Sequence, residues 1–227
     1  MSRPNATSPG NPFPGLRPFR EDEEHLFFGR ESQVDAMVEK LAGKRFLAVV
    51  GTSGSGKSSL VNCGLRPALH RGLMASAGTS WRMAQFRPGS NPLQAMARAL
   101  AKEGLLFKGG LSDGLSLQEI VEANLRLSNL GLIDIYQQAK LSRDVNLLLV
   151  VDQFEELFRY RKLGTAQEED GFGVSQEAIA LLNLLLEARS QTACPIYVVL
   201  TMRSDFLGDC AQFHGLPEAI NESQYLV

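Results

Sequence analysis

Apolar positions along this chain fall into two alternating spacings. Between Arg30 and Ala42, residues Val34, Met37, Val38 and Leu41 recur at i, i+3, i+4 and i+7, one face of a helix, and Gly43 stands where a C-terminal cap belongs. RFLAVV, Arg45 to Val50, is instead an unbroken apolar run entering a glycine-rich loop, which predicts a buried strand. A helix is expected from near Lys57, with Pro67 ending or kinking it around Leu65 or Arg66. WRMAQF, Trp81 to Phe86, reads as a second strand with Trp81 in the core. Asn91 and Pro92 read as the N-cap and first turn of a helix reaching Lys102. After a glycine-rich loop from Gly104 to Gly114, helical patterns cover Ser116 to Leu127 and Leu132 to Leu141. LLLVV, Leu147 to Val151, is a third strand. Ser175 caps the apolar helix EAIALLNLLLEA, and PIYVVLT, Pro195 to Thr201, is a fourth strand. Continuous apolar strands separated by helices predict the α/β class: a three-layer sandwich whose mainly parallel sheet is flanked by helices on both faces.

The first residues break this pattern. Five of the ten prolines lie within the first eighteen residues, so residues 1–24 read as a Pro-rich arm ahead of a core spanning 25–227. Within the arm, Phe13, Leu16 and Phe19 are expected to lie against the domain surface.

Composition narrows the function classes. The chain has 227 residues, 44% hydrophobic, with a formal net charge of -2. That balance gives no electrostatic footprint for direct nucleic-acid binding, and no apolar run is long enough to span a membrane. Cys63, Cys194 and Cys210 are widely spaced and odd in number, fitting small buried groups in a reducing, cytoplasmic setting. His25, His70 and His214 are scattered and read as structural residues rather than ligands.

The strongest chemical signal is GTSGSGKSS, which satisfies GxxxxGK[ST] through Gly51, Gly56, Lys57 and Ser58. Backbone N–H groups of Gly51, Thr52, Ser53, Gly54, Ser55, Gly56 and Ser59 are expected to wrap phosphates, and bare Cα atoms at Gly54 and Gly56 keep that approach open. Lys57 brings a cation to the β- and γ-phosphates, and the Ser58 hydroxyl is a Mg²⁺ ligand. The position between a valine-rich strand and a helix is the context this motif needs.

A second cluster follows the third strand in LLLVVDQFEELF. Asp152 sits at the strand's carboxyl end, where it would hold Mg²⁺ beside Ser58. Glu155 and Glu156 follow, and either would orient or deprotonate an attacking water; spacing does not separate them. Otherwise both are solvated charges at a helix start. Past the fourth strand, Arg203 in TMRSDF either reaches a bound γ-phosphate or pairs with Asp205 at the surface.

Taken in order, FFGRE (Phe27 to Glu31), GTSGSGKSS, LLLVVDQFEELF and VLTMRSDF resemble the STAND class of P-loop NTPases, and within it the bacterial novel STAND group. Relatives of the NACHT type carry D-G-x-D-E where this chain has D-Q-F-E-E. The resemblance implies an ATPase core that binds ATP or ADP with Mg²⁺. It implies that Gly29 and Arg30 lie near adenine and ribose, that one glutamate positions water, and that Arg203 senses the γ-phosphate. It further implies a cytoplasmic signalling switch that forms a homo-oligomer on activation and works with downstream domains of the same polypeptide, this chain ending before a winged-helix or regulatory region. A rival expectation is a nucleotide-binding scaffold that assembles without hydrolysis. A small-molecule kinase fits less well, because Lys108 is the sole cation in the Gly104 to Gly114 loop, and no LSGGQ-like segment points to a transporter.

Overall fold

The computed structural model describes residues 17–19, 21–107, 116–159 and 175–227. Five strands form one parallel sheet: β1 (Phe46–Gly51), β2 (Trp81–Phe86), β3 (Asn146–Val151), β4 (Ile196–Arg203) and β5 (Gln224–Leu226), in the order β2-β3-β4-β1-β5. All four pairings are parallel.

The unbroken apolar runs are explained by burial on both faces. Phe46, Ala48 and Val50 of β1 join Leu147, Leu149 and Val151 of β3 in one cluster, beneath the helices Pro92–Leu100 and Gln176–Ser190. The alternate residues Leu47, Val49, Leu148 and Val150 enter a second cluster with Val34, Met37, Val38 and Leu41 of the helix Glu31–Lys44. Side chains alternate across a strand, so a layer of helices on each face demands apolar residues at both parities. The expected three-layer α/β sandwich is therefore the architecture observed.

Element ends differ from expectation where tertiary contacts decide. The first helix passes through Gly43 to Lys44, and Arg45, not glycine, takes the left-handed conformation with φ 54°. The Arg45 guanidinium donates to the Gln191 and Cys194 carbonyls at 2.9 and 3.1 Å, which offsets the strain of that conformation. The chain stays helical through Pro67. A π-helical run, Leu60–Leu65, precedes the segment Arg66–His70, so the proline sits in a first turn that needs no N–H from it. The helix from Pro92 ends at Leu100, and that from Gly131 ends at Gln138, short of Lys102 and Leu141. Ser116 caps Leu117–Leu127 through a reciprocal capping box with Glu119. β5 escapes the hydrophobic pattern because only three residues pair, with half-buried Gln224 and Tyr225.

Phe13 and Leu16 of the arm, and most of the Gly104 to Gly114 loop, lie outside the described residues. Phe19 does contact the domain: its N–H donates to Ser59 Oγ at 3.1 Å and its ring meets Phe27 edge-on at 5.8 Å. Trp81 and the three cysteines are buried, whereas His25, His70 and His214 are exposed rather than packed. Among the described residues no helix is long and apolar enough to cross a membrane.

Candidate functional site

Strand register brings the candidate residues together. Gly51 lies opposite Arg203, Val151 opposite Leu200, and Phe86 opposite Val151, so β1 to β4 all release their chains at one edge. This is the carboxyl edge, where open parallel sheets place ligands.

The loop after β1 owes its shape to glycine. Gly54 and Gly56 take φ +76° and +91°, conformations that L side chains rarely adopt. At Gly51 the constraint is close approach: a Cβ there would lie 2.6 Å from the Val227 carbonyl oxygen and 2.8 Å from Ser55 Oγ. Residues 53–59 line a cavity of about 560 Å³ that also receives Arg30, Arg87, Glu155 and Arg203. Thr52 is exposed beside it. Ser55 Oγ is buried with no hydrogen-bond partner. A buried hydroxyl left unpaired costs about 1–3 kcal/mol, so one held in the loop after β1 points to a polar ligand.

Lys57 Nζ donates to the loop's own carbonyls, Gly51 O at 3.0 Å and Thr52 O at 2.7 Å. Burial pushes its pKa below the ordinary lysine value, while Glu155 and Asp152 oppose that shift. An anionic ligand in the cavity would favour the charged form further.

Asp152 is 3% exposed. Its Oδ1 accepts from Ser58 Oγ and Thr201 Oγ1, both at 2.7 Å, and its Oδ2 faces Arg87 Nε at 3.3 Å. The next residue, Gln153, takes φ +57°, where the related motif has glycine, and its N–H donates to Thr201 Oγ1 at 3.0 Å. Two hydroxyls around one carboxylate form a hard-oxygen set. Such a set suits Mg²⁺, which keeps several waters and takes few protein ligands. Among the described residues there is no cluster of three or more His, Cys, Asp or Glu that could hold a metal ion.

The two glutamates, equivalent by spacing, face different ways. Glu155 is 6% exposed, lines the cavity with Lys57, and accepts from the Arg203 backbone N–H at 3.4 Å. Glu156 turns aside and accepts from the Gly89 N–H at 3.0 Å. Arg203 lines the cavity, and its guanidinium pairs with Asp205 through Nε at 3.0 Å and Nη2 at 2.5 Å. The paired carboxylate raises its pKa further, so the group remains a cation.

A second cavity, about 530 Å³, adjoins the first through Phe27 and Arg30, which line both. Arg30 donates to Gln33 Oε1 at 2.8 Å. Gly29 turns the chain with φ +78° and lines neither cavity; its N–H donates to Glu31 Oε1. Phe28 is 76% exposed, so core packing does not account for it.

Arg87 and Thr201 escaped sequence reading. Arg87 directly follows β2 and Thr201 lies near the end of β4, the strands that flank β3, and that adjacency is visible only once strand order is known.

A model of the family novel STAND NTPase 1 matches residues 12–227. Among solved structures, the chain is similar to the Aeropyrum pernix ORC2 protein, determined as ADPNP-ADP complexes, with a TM-score of 0.55 at 12% identity. That likeness covers 88% of this chain and 48% of that one, so this chain spans about half its length. No curated protein matches.

Proposed function

From the premise that this chain belongs to the novel STAND NTPase 1 family and is a nucleotide-binding NTPase domain, we propose that it binds ATP at the carboxyl edge of its sheet, hydrolyses it slowly, and serves as a signalling switch. The observation that carries this reading is that residues 53–59 and Glu155 line one cavity, with Asp152 buried beside it and bonded to Ser58 at 2.7 Å.

The chemistry follows from the placement. Loop amides and Lys57 receive the phosphates; to do so Lys57 leaves the Gly51 and Thr52 carbonyls. Ser58 and Asp152 would hold Mg²⁺, which would neutralise charge developing on the phosphoryl oxygens. Glu155, buried and aimed into the cavity, is the group that orients water and takes its proton. Arg203 offers its guanidinium to the γ-phosphate by trading it against Asp205. Arg30 and Phe27, shared by both cavities, are the contacts for ribose and base, with Gly29 turning the chain beside them.

An Arg203 contact present with ATP and absent with ADP supplies the differential binding a switch requires. The output we assign to it is nucleotide-dependent self-assembly, in company with further domains of the same polypeptide, in the cytoplasm. The test is to denature freshly purified protein, identify released nucleotide by chromatography, and follow phosphate release with added ATP and Mg²⁺. ADP in the release with slow turnover is expected. Tight ATP binding without phosphate release would replace the hydrolytic switch by an assembly scaffold.

A further inference from the structure

Arg87 has no part in the reading above, yet it touches the carboxylate at its centre. It follows β2 directly, and Pro88 behind it restricts its backbone to extended conformations. Gly89 then turns with φ +58°, and its N–H is held by Glu156 Oε2 at 3.0 Å. A carboxylate from beyond β3 thus ties down the turn beyond β2. From that turn Arg87 Nε reaches Asp152 Oδ2 at 3.3 Å, the oxygen not engaged by Ser58 and Thr201. The two partners differ in burial: the Asp152 side chain is 5% exposed and that of Arg87 54%. A buried carboxylate needs a counter-charge, and a half-exposed guanidinium can supply one and still leave.

We propose that Arg87 is a resident counter-ion of Asp152 that competes with the divalent cation for this carboxylate, and that Glu156 is the residue positioning it. The proposal rests on Asp152 being the metal carboxylate. It gives the two glutamates separate tasks, one in the cavity and one behind it. It also lets the site hold nucleotide without metal, because Asp152 is never left bare. The arrival of Mg²⁺ then releases a cation into a cavity already lined by Lys57 and Arg203.

The test titrates MgCl₂ into the full chain carrying fluorescent N-methylanthraniloyl-ADP and reads the midpoint. The wild type should respond, and Asp152→Asn should abolish the response. A wild type that binds this ADP but ignores Mg²⁺ would overturn the metal assignment, and the proposal with it. Given a response, Arg87→Gln should lower the midpoint by about fivefold, the scale of a part-exposed ion pair. Loss of any nearby positive charge also lowers it, so Glu156→Gln decides. Through the field alone, removing that negative charge raises the midpoint; by freeing the Arg87 turn, it lowers it. Both variants falling supports the proposal. An unchanged or raised midpoint in Arg87→Gln, or a raised one in Glu156→Gln, overturns it. Arg87→Lys, which keeps the charge but loses Nε, should fall between wild type and Arg87→Gln, and melting curves without nucleotide identify any variant that fails to fold.

Discussion

The two edges of the sheet are built from the same strands and treat polar groups in opposite ways. At the amino edge the anchoring side chains close mainly on backbone, although Ser80 Oγ also donates to Asp144 Oδ2 at 3.3 Å. Asn146, buried at the start of β3, donates to the Ala77, Ser80 and Asp144 carbonyls at 2.7, 3.2 and 3.4 Å. Arg45, just before β1, donates to the Gln191 and Cys194 carbonyls just before β4. These bonds stitch strand entrances together and leave little capacity over. At the carboxyl edge side chains meet side chains beside a cavity, Ser58 and Thr201 on Asp152 and Arg203 on Asp205, while Lys57 rests on its own loop's carbonyls and Ser55 Oγ is unpaired. Closed polar groups stabilise the fold; exchangeable ones await a ligand.

If that contrast is right, substitutions at the two edges separate turnover from stability. The largest effect is expected from Glu155→Gln, which should cut phosphate release by about 100-fold or more, while Glu156→Gln keeps it within a few-fold. Equal losses in a phosphate-release assay would put both glutamates in the chemistry. At the other edge, Asn146→Ala should lower stability by about 1 kcal/mol, because the part-buried hydrogen bonds to the Ala77 and Asp144 carbonyls are lost while Ser80 keeps the Asn146 N–H. Its ATP affinity should match the wild type, and denaturant melts beside a binding titration check both. A smaller effect sharpens the comparison within the carboxyl edge. Gln153→Gly relieves a left-handed residue, and it should leave stability unchanged or raise it by up to ~1 kcal/mol. A clear loss would mean the Gln153 side chain has a role of its own.

The same contrast explains what the sequence disclosed. The shape of the glycine-rich loop was legible locally, because the positive φ at 54 and 56 demands glycine. β1, β3 and β4 were legible because burial on two faces makes their runs almost wholly apolar, whereas β2 keeps Arg82 and Gln85 half-buried. The roles of Glu155 and Glu156 were not, since adjacent residues on a turn part company only when one of them finds the Gly89 N–H, sixty-seven residues away. Arg87 and Thr201 depend on strand order in the same way. Arg45 as a left-handed cap depends on two carbonyls about 150 residues distant, and no local rule selects it over Gly43.

The proposed function puts the phosphates of ATP at the open carboxyl edge and not at the closed amino edge. Its most direct test is an isothermal titration of ATP with Mg²⁺ into wild type and Lys57→Ala, with a thermal melt of each protein alone. One-to-one binding by the wild type is expected, with Lys57→Ala losing it and melting within a few degrees of the wild type. Undiminished ATP affinity in Lys57→Ala would contradict the account and send the search for a nucleotide site elsewhere on the molecule.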